Sequence, residues 1–299
     1  ALLAVPAVAA ILALAVRLRA PRGRRALALG AMVAALFVAW TQRPRSEPPP
    51  PSGLRISFLD VGQGDAVLLQ VPEGAILVDQ GPPEGDVAGQ LRSLGVRALA
   101  ALVLTHPQRD HVGGAAEVLA ETRVAFALDP RLAVRSPEQE AALAEARKRD
   151  VPVAVARAGR VYRLGRLRLR VLWPEGTGLP GDDPNNHAIV LLASYGDVDA
   201  LLTADAESPV TLPLRPPAVE ILKIAHHGSA DAGLPALLEL VRPRLAVISV
   251  GARNDYGHPA PSTVAALEDF PNLDVYRTDE DGRVVIETDG RRMSVREER

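Results

Sequence analysis

The amino-acid sequence predicts an α/β fold, an αββα sandwich of two sheets with helices on both outer faces, preceded by two transmembrane helices. Three observations carry this expectation. From residue 54 onward, short apolar runs bounded by Gly, Pro, Asn or Asp alternate with helical patterns, in two successive groups. Two uncharged apolar stretches, residues 1–16 and 26–40, come before them. A proline run, Pro48 to Pro51, separates the two parts.

Each apolar stretch falls short of the ~20 residues that span a bilayer. The first, however, is cut by the start of the chain, and the second extends into Thr41 and Gln42 with Trp40 at an interface. The chain opens on Ala1 inside an apolar run, so it reads as the C-terminal end of a longer membrane protein, with residues 1–42 as the last part of its transmembrane region. Arg17, Arg19, Arg22, Arg24 and Arg25 lie between the two stretches, and only Arg43 and Arg45 follow the second. The positive-inside rule puts the richer loop in the cytoplasm and everything after Trp40 on the extracytoplasmic side. Two apolar stretches around a basic loop fit a cleavable signal peptide poorly, and a buried helical hairpin of a soluble domain is the competing structural reading. Residues 43–53 form a proline-rich, semi-rigid spacer, and the globular domain occupies 54–299.

Within that domain, Leu54–Leu59, Ala66–Val71 and Ala75–Val78 read as three strands joined by Gly- or Pro-bearing turns. A helix is expected over Val87–Leu94, a buried strand over Ala100–Leu104 and a helix over Gly114–Glu121. Extended chain at Val124–Leu128 and an Ala- and Glu-rich helix at Pro137–Arg149 follow. Strands are expected at Val151–Val155, Leu167–Leu172, Ala188–Ala193, Ala200–Leu202, Val219–Ile224 and Leu245–Val250, with helices at Leu234–Val241 and Ser262–Phe270. Terminal strands lie near Val284 and Met293. No repeat of 20–50 residues is visible.

The chain has no cysteine, which excludes disulfides and thiolate metal sites; a metal would need His, Asp, Glu or amide ligands. Seven of the 34 basic residues and one of the 36 acidic ones lie in the first 52 positions, leaving the domain with 27 against 35. A nucleic-acid binder usually carries the opposite sign, so DNA as a substrate requires metal ions and a local basic patch to offset this charge.

Five of the six histidines, His106, His111, His226, His227 and His258, sit just beyond apolar strand-like runs, and His187 sits just before one. Loops at strand ends are where rigid sheets carry reactive groups. The densest cluster is Thr105-His106-Pro107-Gln108-Arg109-Asp110-His111 followed by Val112-Gly113-Gly114. A tight loop there can turn several ligands toward one point, with Asp110 and His111 on one cation and His106 on a neighbouring one. The plain alternative is a helix cap, with Asp110 bonding backbone amides.

His-x-x-x-Asp-His-x-Gly-Gly after a buried strand resembles the metallo-β-lactamase superfamily pattern. The wider context resembles the C-terminal domain of the ComEC family of competence channel proteins, which take up transforming DNA. The matching stretches run in order: Phe58 to Ala66 (FLDVGQGDA), Ile76 to Gly81 (ILVDQG), the His106 cluster, Leu201 to Asp205 (LLTAD), Leu222 to Ser229 (LKIAHHGS) and Tyr256 to Pro259 (YGHP). Several motifs in order are specific where one alone is weak. The resemblance implies a metallo-β-lactamase fold and a metal-dependent phosphodiesterase that degrades the DNA strand not imported. Its partners would be DNA, single-stranded, the membrane, the remainder of the channel and other DNA-uptake proteins. Carried over by position, His106, Asp110 and His111 would be metal ligands, Asp205 would bridge, and His226 or His227 would supply a later ligand. One or two divalent ions, Zn or Mn, suit such oxygen and imidazole donors.

Lys223 is one of only two lysines, the other being Lys148, and lies in an apolar run three residues before His226. A buried ammonium is costly unless paired. Holding a phosphate or orienting Asp205 would account for it, as the resemblance also implies; a plain surface-strand lysine is the alternative. Asp60, Asp65 and Asp79 flank glycines and could orient metal-bound histidines, with turn-making hydrogen bonds an equal reading for Asp60 and Asp65. His258 could be a ligand, a general acid or a hydrogen-bonded loop histidine. Asn185 could turn toward the metals, whereas His187 is peripheral. Three departures stand out: Gln108 occupies the place of the superfamily's second His, Ala204 replaces the glycine usual before the bridging Asp, and Ala188 stands where Ser is common.

Besides the membrane-tethered nuclease, two readings compete: hydrolysis of a small phosphoester or other ester, favoured by the acidic charge, and a degenerate domain that binds DNA and gates the channel without cutting. The orientation is open to a direct check. Protease added outside intact spheroplasts is expected to digest the domain; digestion only from the cytoplasmic face would refute it.

Overall fold

The computed structural model describes residue 49 and residues 51–299; both expected membrane helices lie outside the described residues. Among the described residues, no helix is long and apolar enough to cross a membrane.

The first sheet is nucleated by β1 (Leu54–Phe58), β2 (Val67–Val71) and β3 (Gly74–Val78), an antiparallel meander whose apolar residues alternate between two buried faces. A short two-stranded ladder of β4 (Ala98–Leu99) and β6 (Arg123–Val124) accompanies it. The sheet continues in parallel through β5 (Ala101–Val103), β7 (Ala127–Asp129) and β8 (Val153–Val155). The connections carry α1 (Val87–Ser93), α2 (Arg109–Val112), α3 (Ala115–Glu121) and α4 (Pro137–Lys148). The start of α4 is encoded by Ser136, whose side chain accepts from the Gln139 amide, and by Pro137 in the first turn.

The second sheet begins antiparallel with β9 (Val161–Leu164), β10 (Leu167–Trp173), β11 (Val190–Tyr195) and β12 (Val198–Leu202). It turns parallel through β13 (Ile221–Lys223), β14 (Leu245–Ile248) and β15 (Asp274–Arg277). Its helices are α5 (Ser208–Thr211), α6 (Leu234–Val241), α7 (Pro261–Glu268) and α8 (Thr278–Asp281). The chain then crosses back, and β16 (Arg283–Thr288) and β17 (Met293–Glu298) complete the first sheet in the order β17-β16-β1-β2-β3-β5-β7-β8.

Three apolar layers follow from this arrangement. Between the sheets, Ile56, Phe58 and Leu69 meet Leu169, Leu191, Leu202 and Val247. On the outer face of the first sheet, Leu68, Leu77 and Leu102 pack under Leu91, Val118 and Ala142 of the helices. On the outer face of the second, Leu201, Leu222 and Ala246 lie under Leu234, Leu237, Leu238 and Val241, the i, i+3, i+4, i+7 stripe of α6. This is the expected αββα sandwich. The parallel strands of both sheets direct their C-terminal ends to loops that carry polar side chains, as open α/β sheets commonly do.

Several boundaries differ from expectation. The segment expected extended at Val124–Leu128 divides into β6 and β7, and the strand expected over Val219–Ile224 contracts to Ile221–Lys223. Strands β9 and β15 are absent from the apolar pattern because each is an edge strand exposed on one side, so neither needs a continuous hydrophobic run.

Candidate metal centre

The site is assembled from strand ends. Immediately after β3, Asp79 takes a left-handed backbone conformation (φ 58°). Its buried carboxylate accepts from the Thr105 amide (2.9 Å) and hydroxyl (2.7 Å) just past β5, and from Nδ1 of His111 (2.8 Å). Fixing Nδ1 in this way leaves His111 Nε2 directed at Asp205, 3.1 Å from Oδ1. The loop and helix α2 are clamped to the meander by backbone hydrogen bonds from Asp65 to the Asp110 carbonyl and from Gln80 to the His111 carbonyl. Gly64 is required there: a Cβ would lie 2.2 Å from the Asp110 carbonyl oxygen, at a φ of +147°.

Asp205 follows β12 and is presented by Ala204, itself left-handed (φ 48°). His226 and His227 follow β13 with two successive left-handed residues (φ 49° and 54°), which fan their rings to 66°. His227 is buried; its Nδ1 bonds the Ser249 carbonyl beyond β14 (2.9 Å) and its Nε2 lies 3.1 Å from Asp110 Oδ2. His226 is partly exposed, bonds Glu207 through Nδ1 (3.0 Å), and holds Nε2 3.8 Å from Asp205. His106 Nε2 is 3.8 Å from Asp205 and 3.3 Å from Oε1 of Gln108, and its Nδ1 is 3.0 Å from the Thr105 hydroxyl.

Four imidazoles therefore surround one buried carboxylate, yet the contacts are ion pairs and not formed hydrogen bonds: both oxygens of Asp205, and His111 Nε2, are without one. One ligand atom from each of Asp110, His111, Asp205 and His227 lies within 4.8 Å of the other three. Tetrahedral donors ~2.1 Å from one cation stand roughly 3.4 Å apart, so this spacing fits a metal. Donors on the His106 side of Asp205 are poorer, one imidazole and the neutral amide of Gln108. Asn185 is buried with its Oδ1 unpaired, and the Ile189 amide bonds the Thr105 carbonyl, which brings that segment beside the His106 loop.

Electrostatics follow the same geometry. Burial disfavours charge on His111, but Asp205 and Asp79 outweigh it and hold its pKa well above the ordinary value. Asp205, despite burial, is held well below the carboxylate range by His111 and His227. Burial and then the charge of His111 push His106 down to about 3, so its ring is neutral. Asp110 falls to about 2, its burial outweighed by the His227 hydrogen bond and the charge of His111.

Lys223 is fully buried. Its ammonium pairs with Asp65 (2.5 Å) and donates to the carbonyls of Ala204 (2.9 Å) and Ile224 (3.2 Å). It thus fixes the turn that presents Asp205, whereas a phosphate-holding role would need an ammonium that reaches the open side. Asp65 lies under the site, 3.7 Å from His111 Nδ1 and 3.6 Å from His227 Nδ1. Asp60 is exposed and caps its own turn through the Gly62 amide, the turn-making reading. His258 lies at the open edge, its ring 5.6 Å from His226; burial, then the charges of His226 and His227, lower its pKa. His187 is remote from this cluster, paired with Asp182 and stacked on Trp173. Sequence reasoning missed Glu207, which holds His226 and Ser229, although its place two residues after Asp205 was a usable signal.

The buried pair yields a stability prediction. Lys223→Met, which leaves Asp65 uncompensated, is expected to cost about 3–5 kcal/mol in metal-free denaturant unfolding. A cost below about 1 kcal/mol would contradict the pairing.

The family model described as metallo-beta-lactamase superfamily matches residues 59–252. The chain is 28% identical over 256 residues to ComE operon protein 3 of Bacillus subtilis, covering 77% of this chain and 32% of that protein. It is 28% identical over 254 residues to Recombination protein 2 of Haemophilus influenzae, covering 82% and 30% respectively. The chain thus spans about a third of the length of these curated relatives. Among solved structures, the metallo-beta-lactamase fold protein YhfI of Bacillus subtilis superposes with a TM-score of 0.51 at 10% identity, over 75% of this chain and 96% of that one, which shows the shared fold. With the family match covering most of the domain and the strand-end cluster in its place, this chain belongs to the metallo-β-lactamase superfamily.

Proposed function

We propose that this chain is part of a cell-membrane protein whose extracytoplasmic domain is a metal-dependent phosphodiesterase, cutting single-stranded DNA during uptake of transforming DNA. The observation that carries the reading is Asp205, a buried carboxylate without hydrogen bonds among imidazoles on four sides. Kinship with ComE operon protein 3 and Recombination protein 2 supports the setting in competence, and the five-to-two arginine asymmetry of the N-terminal region supports the orientation.

Asp110, His111, Asp205 and His227 would hold one divalent ion, Zn or Mn; His106 and Gln108, sharing Asp205, would hold a weaker second. A bound cation supplies a nucleophile at neutral pH and neutralises charge developing at phosphorus. The chain's own residues set the stage for this. Asp79 and the Ser249 carbonyl orient His111 and His227 through their Nδ1 atoms, directing Nε2 of each toward the carboxylates of the site, Asp205 and Asp110. Lys223 and Asp65 hold the Ala204 turn in register with the histidine loops. His226 and His258, at the open edge, would contact the substrate's oxygens, with Glu207 fixing His226. The domain's excess of acid, 35 against 27, favours a small phosphoester as the second reading.

The test uses the whole chain in detergent with Mn or Zn, a labelled single-stranded oligonucleotide and a small phosphodiester. Asp205→Ala is expected to lower bound metal and cut oligonucleotide cleavage by about 100-fold or more. Oligonucleotide left intact by the parent, or cleavage unchanged in the variant, would contradict the nuclease; turnover of the small diester alone would select the second reading.

A further inference from the structure

The net acidity of the domain conceals a basic groove. Arg131 and Arg135, in the loop after β7, and Arg147, in the last turn of α4, line an open groove of about 380 Å³ whose floor is Leu143, Val151 and Val153. All three arginines are exposed, and none forms an ion pair among the described residues. Two of the three carboxylates of α4 are engaged elsewhere: Glu145 pairs with Lys148 and Arg149, and Glu138 acts on Arg109; the third, Glu140, is exposed. In sequence, the segment that follows is also basic: residues 151–174 contain six arginines and no carboxylate.

One end of this groove opens on the rim that carries the candidate metal centre. Strands β5 and β7 are parallel neighbours, with Val103 opposite Leu128 and the Leu104 amide bonded to the Leu128 carbonyl. The Arg131–Arg135 loop therefore leaves the sheet from the same edge as the His106 loop. Ten residues of helix, 137–146, lie between Arg135 and Arg147, about 15 Å of axis at about 1.5 Å per residue. Such a length exceeds a small phosphoester and suits a polymer.

We infer that this groove is the track along which a single strand of nucleic acid enters the metal centre. Unpaired guanidinium groups fork onto phosphate oxygens, which lysine does less well. The aliphatic floor receives the faces of unpaired bases, which a duplex would keep stacked inside. This inference rests on the phosphodiesterase reading and narrows its substrate to polymeric single strands; it also supplies the local basic patch that an acidic domain needs.

Binding is measured on the whole chain in detergent by fluorescence anisotropy, with a labelled single-stranded oligothymidylate, its duplex form, and EDTA present so that nothing is cut. The triple variant R131A/R135A/R147A is expected to weaken single-strand binding about a hundredfold at 0.1 M salt and to reduce the slope of log K against log salt by about 2, since each single-strand phosphate contact contributes about 0.7. The parent is expected to bind the duplex more weakly than the single strand. Binding within twofold of the parent, with an unchanged slope, would overturn the inference and assign these arginines to another anionic surface such as lipid. Duplex preferred over single strand would overturn it as well. Because Asp205→Ala is expected to abolish cutting yet retain this arginine-dependent binding, loss of the nuclease reading and loss of the groove are separately visible.

Discussion

A carboxylate taken out of water and given no hydrogen bond is among the most costly arrangements a protein can hold, unless a positive charge meets it. Asp205 is in that position, with Nε2 atoms of His106, His111, His226 and His227 at 3.1–3.8 Å. Without a metal, protons on His111 partly supply the charge, which is why that imidazole is held basic while its neighbour His106 is driven neutral. Because metal binding must displace such protons, affinity at this site should fall as pH falls. The rest of the architecture serves to bring these groups together and to prevent them from relaxing apart.

That restraint is visible in the backbone. Asp79, Ala204, His226 and His227 all occupy left-handed conformations that cost non-glycine residues of order 1 kcal/mol or more each. They persist because paired strands on both sides define where each loop starts, and because buried bonds define where it ends. Lys223 is central to this, tying Asp65 from the first sheet to the Ala204 carbonyl from the second. The interlayer core of Phe58, Leu69, Leu169 and Val247 sets the distance over which that tie must reach.

Much of this was legible in the sequence because the elements bearing the site are buried. Alternation marked β1, apolar runs marked β5, β14 and the end of β12, and polar residues placed soon after them marked the loops. Edge strands β9 and β15, with one face in water, left no such trace. Between His226 and His227 sequence offered no choice, since the discriminator is a pair of left-handed dihedrals that turn one ring inward and leave the other at the open edge. The place of Ala204 became intelligible only from its φ, which explains why glycine is usual there. The basic groove was also hidden, because Arg131, Arg135 and Arg147 are brought together by a strand and a helix and not by any local motif.

The central claim is that a cation belongs at Asp205. The most direct measurement is anomalous scattering from crystals of the chain grown with Mn or Zn. The account predicts a peak within bonding distance of Asp110, His111, Asp205 and His227, with any second, weaker peak on the His106 and Gln108 side. Metal-replete crystals with no peak at Asp205, and the four side chains unchanged, would contradict it.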